Sequence, residues 1–177
     1  MDDTLPAAIS PIHFAGIPNA AAVNVALLAA YERESRHERV RRTHHFGGRF
    51  ENVYIDAEQL SELAPVQGFA LDCARRILDR EALHSGFWFN EMGPGHETSL
   101  HTHEENDELL SAVYYVSAPP DSGRLVLKDD EAQILVTPRP GLLVLFPPDL
   151  PHLVEPNRSG QTRLSVAFNF GPPQAVA

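Results

Sequence analysis

Cysteine is almost absent from this chain. Cys73 is the single one among 177 residues, so no disulfide can form within the chain, and its place in an apolar helical pattern suits a buried structural thiol in a reducing compartment. Positive charge is also scarce. Against 24 Asp and Glu stand 14 Lys and Arg, a formal net charge of −10, which repels polyphosphate and anionic lipid and argues against nucleic acid or a membrane as partner. The first residues, Met1-Asp2-Asp3-Thr4, carry neither a basic lead nor a long apolar run. No secretory signal or membrane span is therefore indicated, and the expected location is cytoplasmic. No repeat, low-complexity tract or linker-like stretch divides the chain. One domain over residues 1–177 is expected, long enough to bury a core without covalent staples. A homodimer is left open.

What is present changes in pattern along the chain. Up to about Arg80 it reads as a helical support region. Asn19 is placed to cap a helix with Val23, Leu27 and Tyr31 on one face, ending near Arg39. Asp56 with Gln59 resembles a capping box, and Pro65 opens a second helix whose stripe is Val66, Phe69, Ala70, Cys73 and Ile77.

From about Gly86 to Phe170 the apolar segments shorten to strand length: Phe87–Glu91, Thr98–His101, Leu110–Ser117, Arg124–Lys128, Gln133–Val136, Leu142–Phe146 and Arg163–Phe170, with His152–Glu155 a weaker candidate. Pro119-Pro120-Asp121-Ser122-Gly123 and Thr137-Pro138-Arg139-Pro140-Gly141 punctuate them. The fold class is therefore mainly β with N-terminal helices, a jelly-roll or cupin-like barrel with the helices packed on one face. In the last strand Arg163, Ser165, Ala167 and Asn169 share one face while Leu164, Val166, Phe168 and Phe170 share the other. In Leu110–Ser117, Ser111, Val113 and Tyr115 separate from Ala112, Tyr114 and Val116 in the same way. Polar groups turned into a barrel need partners, and a bound ligand is one way to supply them.

The densest chemistry is His101-Thr102-His103-Glu104-Glu105-Asn106-Asp107-Glu108, with His152 following much later after an apolar strand. His101, His103 and Glu105 share parity in an extended segment, so their side chains can converge. His103 and Glu105 with His152 make a two-histidine, one-carboxylate face of the kind that leaves positions open on non-haem Fe(II). The competing reading is a solvated acidic loop. His13, His37, His44, His45, His84 and His96 lack such grouping and are read as structural or surface residues.

The stretch from His101-x-His103 through Leu110-Ser111-Ala112-Val113-Tyr114-Tyr115-Val116, Pro120-Asp121-Ser122-Gly123-Arg124-Leu125 and Pro140-Gly141-Leu142-Leu143-Val144-Leu145-Phe146-Pro147 to His152 and Arg163-Leu164-Ser165-Val166-Ala167-Phe168-Asn169 resembles the small bacterial and phage 2-oxoglutarate-Fe(II) oxygenases. The likeness covers about the last half of the chain. It implies a double-stranded β-helix whose cofactors are Fe(II), 2-oxoglutarate as co-substrate, and O₂, with succinate and CO₂ released as a small molecule is hydroxylated. It also implies that Arg163 and Ser165 hold the far carboxylate of 2-oxoglutarate, a planar fork of donors suiting a carboxylate. Arg163 in a surface ion pair is the competing assignment.

Tyr115 would add a phenol to that carboxylate, or else be a core aromatic with a hydrogen-bonded tip. Asn90, in Trp88-Phe89-Asn90, would donate to the keto-acid end. Counting back from Tyr115 without a gap aligns the family's His-x-His with His103 and Glu105, whereas matching residue types aligns it with His101 and His103. Glu105 is favoured here because a carboxylate lowers the charge of an Fe(II) site, and a three-histidine site with His101 stays open.

Two other functions fit parts of the pattern. Gly95, His101, His103 and Glu108, then Gly141, Pro147, His152 and Asn157, approximate the cupin motifs, with Asp149 where a glycine is expected; such an enzyme would not need Arg163. A barrel that binds metal or ligand without turnover is the second. The acidic surface favours a neutral or cationic prime substrate. Thr43-His44-His45-Phe46-Gly47-Gly48-Arg49 is read as a connector between helices or a loop near a pocket mouth.

Overall fold

A computed structural model of the chain describes residues 11–47, 49–103, 107–129 and 132–173. Ten strands and two helices follow in the order β1 (His13–Gly16), α1 (Ala20–Glu34), β2 (Arg41–Phe46), β3 (Arg49–Tyr54), α2 (Ala64–Leu78), β4 (His84–Met92), β5 (Leu110–Ser117), β6 (Leu125–Lys128), β7 (Gln133–Val136), β8 (Leu142–Phe146), β9 (His152–Val154) and β10 (Arg163–Gly171). The strands form a seven-stranded sheet, β1-β8-β5-β10-β4-β3-β2, and a three-stranded sheet, β7-β6-β9. Every pairing is antiparallel. This is the mainly β, helix-supported architecture expected of the double-stranded β-helix.

Strand alternation distributes the side chains between two cores. Ala112, Tyr114 and Val116 of β5 and Leu164, Val166, Phe168 and Phe170 of β10 pack beneath the helices with Leu27, Ala30 and Tyr31 of α1 and Val66, Ala70 and Cys73 of α2. The opposite face meets the small sheet, where Tyr115, Val144 and Phe146 pack with Leu125, Leu127 and Val136. Helix α1 is also pinned by polar tips. The Tyr114 hydroxyl donates to Asn24 Oδ1 at 2.6 Å and the Tyr31 hydroxyl to Glu91 at 2.7 Å, so neither buried phenol is left without a partner. Cys73 is fully buried on α2, as its apolar surroundings require.

The first half of the chain is less helical than its composition implies. Strands β1, β2 and β3 precede α2, because the polar run Arg41 to Tyr54 becomes a hairpin that extends the large sheet through Val53 opposite Phe89. Helix α1 ends at Glu34, short of Arg39. Asn19 holds a left-handed φ of 57° and makes no side-chain cap. Asp56 likewise makes no side-chain cap and leads only into a 3-10 turn, Ala57–Gln59.

Thr98–His101 does not become a strand. It runs beside β9 with backbone bonds from Thr98 to Val154 and between His101 and His152, while the Thr98 hydroxyl takes up the Val154 amide. A side chain thus replaces part of the ladder, which leaves one isolated bridge. Among the described residues no helix is long and apolar enough to cross a membrane.

Candidate metal and co-substrate site

The cavity between the two sheets measures about 830 Å³ and is lined from both sides, by Asn90, Tyr115, Arg163 and Ser165 of the large sheet and by Leu125 and His152 of the small one. Each lining position follows from strand parity. Arg163, Ser165, Ala167 and Asn169 of β10 and Ser111, Val113 and Tyr115 of β5 face it, the polar rows that alternation assigns to the interior. Tyr115 is opposite Ser165 in the β5–β10 register, and Ser165 is opposite Asn90 in the β10–β4 register. The three therefore form a row across adjacent strands. Tyr115 and Ser165 are buried, and burial pushes the Tyr115 phenol up to about 12, so it stays protonated and able to donate.

At one end of the cavity His101, His103 and His152 present ring nitrogens all within 4.8 Å of one another. The bridge between His101 and His152 sets two of the rings side by side, centroids 4.3 Å apart. His103 is brought in by its amide, which donates to Pro148 O at 2.7 Å. His152 Nδ1 lies 2.9 Å from Leu150 O and His101 Nδ1 lies 2.8 Å from Ser99 O. A carbonyl can only accept, so each Nδ1 carries the proton and each Nε2 keeps its lone pair for a metal.

Burial first, then the neighbouring His101, pushes His103 down to about 4 and His152 down to about 3. Both rings are neutral at neutral pH, the state a metal ion needs. The donor set therefore fits a divalent ion that accepts imidazole, Fe(II) included. Of the residues named in the two assignments by sequence, His101 and His103 converge on His152. Glu105 lies outside the described residues.

Arg163 is buried to 1 % exposure in the same cavity. Its guanidinium donates to Ser122 O and Gly123 O, at 3.3 and 2.9 Å, and to the Met92 sulfur. Nε has no partner, and no carboxylate pairs with the group among the described residues. A surface ion pair is thus not its role. Burial pushes its pKa down from the ordinary value, yet arginine starts so high that the cation persists. Asn90 faces the cavity, but its amide nitrogen already donates to Glu51 O and Asn52 Oδ1, at 2.9 and 3.1 Å.

Several lining residues escaped the sequence reading. His44 and His84, taken as structural or surface, both line the cavity, as do Arg41, Asn52 and Tyr54 of the β2–β3 hairpin. The signal was the polar run that begins Thr43-His44-His45, but only the sheet order shows that this hairpin lies at the site. Trp88 stands beside the histidines, its ring centroid 5.5 Å from that of His103.

The sequence pattern of the 2OG-Fe(II) oxygenase superfamily matches residues 87–171, which contain all three histidines and Arg163. No curated protein sequence matches the chain. Among solved structures, a prolyl-4-hydroxylase from Pseudomonas putida is similar at TM-score 0.70 and 23 % identity, covering 92 % of this chain and 93 % of its own. A 2OG-Fe(II) oxygenase family oxidoreductase from Burkholderia pseudomallei gives TM-score 0.68 at 16 % identity, covering 90 % of this chain and 84 % of that one. A prolyl hydroxylase from Trichoplax adhaerens, solved with a hypoxia inducible factor peptide, gives 0.70 at 12 %, covering 93 % and 84 %. At these identities the structures establish the shared fold, and the matched sequence pattern makes residues 87–171, just under half of the chain, similar to the 2OG-Fe(II) oxygenase superfamily, enzymes that work with Fe(II) and 2-oxoglutarate.

Proposed function

We propose that this oxygenase hydroxylates a small molecule with release of succinate and CO₂, using Fe(II) held by His101, His103 and His152 and 2-oxoglutarate held at its far carboxylate by Arg163, Ser165 and Tyr115. The observation that carries the reading is Arg163, a buried cation with an unpartnered Nε and, among the described residues, no carboxylate paired with it, in the same cavity as three clustered imidazoles. Burying an isolated charge costs several kcal/mol. A dicarboxylate co-substrate reaching from the metal to the guanidinium supplies the missing anion.

Bound together, Fe(II) and 2-oxoglutarate supply the O₂-consuming, decarboxylating chemistry that oxidises a C–H bond. The protein contributes position and exclusion of water. Arg163 and Ser165 orient the carboxylate from one strand, and Tyr115 donates from the next. Phe146, Leu125 and Val154 line the cavity with apolar surface, which strengthens each of these polar contacts. The cavity volume, about 830 Å³, lies within the range of small-molecule sites.

The test is succinate formation from 2-oxoglutarate by purified protein supplied with Fe(II) and ascorbate, across a panel of amino acids and small metabolites. Succinate dependent on 2-oxoglutarate and stimulated by a panel member is expected. Oxygen uptake without succinate would instead point to a cupin-type enzyme that uses no keto acid.

A further inference from the structure

The β2–β3 hairpin carries a set of donors that the metal and co-substrate assignments leave unused. Along β2 the register pairs Arg41 with Tyr54 and Thr43 with Asn52, and of these Arg41, Asn52 and Tyr54 line the cavity. His44 should face the opposite way, but its φ of 57° breaks the alternation and brings it to the cavity side. A left-handed φ is uncommon outside glycine, although histidine is among the residues enriched there, and such strain collects at functional positions.

Elementary valence then settles which atoms His44 shows. Glu51 O can only accept, so the Asn90 atom facing it is the amide nitrogen, which also donates to Asn52 Oδ1. That leaves the Asn52 nitrogen facing His44 Nδ1 at 3.0 Å, which must accept. Nε2 therefore carries the hydrogen, and among the described residues it has no partner. The ring thus offers Nε2–H as a donor.

Arg41 is the second donor. Its guanidinium lies over the Tyr54 ring, 3.9 Å from the centroid. It makes no hydrogen bond or ion pair among the described residues. Glu51, the acid on the same hairpin, is 4.0 Å from Arg49 instead. Arg41, Tyr54 and His84 also line an adjoining cavity of about 300 Å³. Tyr54 continues to Trp88, centroids 6.3 Å apart, and Trp88 to His103. An aromatic wall thus leads from the Arg41 cation to the metal site.

We propose that this rim binds the prime substrate and that the substrate is a small carboxylic acid, its carboxylate on Arg41 and His44 Nε2–H and its flat or apolar body along Tyr54 and Trp88. The proposal rests on the oxygenase reading for which molecule is oxidised, but the anion site is defined by the hairpin alone. It reverses the preference for a neutral or cationic substrate that net charge suggests, because Arg41 and His44 offer donors at the rim; of the acids that line the same cavity, Glu51 lies 4.0 Å from Arg49, and Asp107 and Glu108 precede β5.

Trp88 is the single tryptophan, so its fluorescence reads occupancy of the wall without turnover. The protein, saturated with Zn(II) and 2-oxoglutarate so that the co-substrate is not the ligand read, is titrated with phenylacetate and separately with phenylacetamide. The acid should quench Trp88 with a dissociation constant lower by about tenfold or more, the worth of a charge-assisted hydrogen bond. Arg41→Gln should erase that preference. His44→Asn, a residue that tolerates left-handed φ, should reduce it. Equal affinity for acid and amide, no quenching by either, or a preference that survives Arg41→Gln overturns the proposal. Succinate release by the wild type, assayed in parallel, judges the oxygenase reading separately: acid preference without succinate keeps the anion site and sinks that reading, and succinate without acid preference does the opposite.

Discussion

Replacing Arg163 by methionine keeps most of the side chain's length and removes the cation. In the wild type the guanidinium sits at 1 % exposure with no carboxylate partner among the described residues. Removing one partner from a buried charge-assisted pair costs about 2 to 4 kcal/mol, which at about 1.4 kcal/mol per factor of ten raises the KM for 2-oxoglutarate about 30- to 1000-fold. The ligand-free protein should respond differently. Methionine loses the bonds to Ser122 O, Gly123 O and the Met92 sulfur, but it also removes a desolvated charge, and these opposing contributions are each about 1 to 3 kcal/mol. Its ligand-free Tm should stay within a few degrees of wild type.

Binding should separate the two proteins. At about a hundred times its Kd, 2-oxoglutarate stabilises the wild type by about 2.7 kcal/mol, a Tm rise of about 5 to 10 °C for a chain of this size. Arg163→Met should show none of it at the same concentration. Thermal scans with and without 2-oxoglutarate in the presence of metal, together with succinate kinetics, decide the matter. A variant that keeps both the Tm rise and a KM within about threefold of wild type refutes the carboxylate assignment, since a charge-assisted bond is worth more than that.

His152→Ala, removing the most buried of the three rings, should abolish stoichiometric iron binding, and metal analysis after gel filtration checks it. Retention of iron would relocate the site. The metal-free fold should also weaken in acid. His103 and His152 are held at about 4 and about 3, below the ordinary histidine value near 6.5, so the unfolded chain takes up their protons first. Their contribution is complete above about pH 6.5 and is lost as pH falls toward those lower values; Tm of metal-free protein followed from about pH 7.5 to about pH 4 should fall, and a flat profile contradicts the burial. Gly123 has φ +88°, and an added Cβ would stand 2.1 Å from Glu155 O. Gly123→Ala should therefore lower Tm by about 5 °C or more and, because Gly123 O receives Arg163, raise the KM for 2-oxoglutarate. A neutral substitution there would mean the turn has room to shift.

Much of the β region was legible because side-chain parity is local. Leu110–Ser117, Gln133–Val136 and Leu142–Phe146 have the expected bounds, and the polar faces of β5 and β10 line the cavity as alternation requires. The front half was less so. Arg41 to Tyr54 is polar on both faces and has no period of its own, so its strand state comes from joining β4, a contact far away in sequence.

From the sequence alone came the residue types and spacings that make a metal site and a carboxylate site, and the superfamily they resemble, since these depend on which donors lie on one strand. Convergence needed the tertiary fold. His101 and His152 are 51 positions apart and meet across a single bridge, and the hairpin at the cavity mouth is held there by Val53 pairing with Phe89 of β4. Neither follows from local propensity, because each depends on which distant strand a segment has for its neighbour.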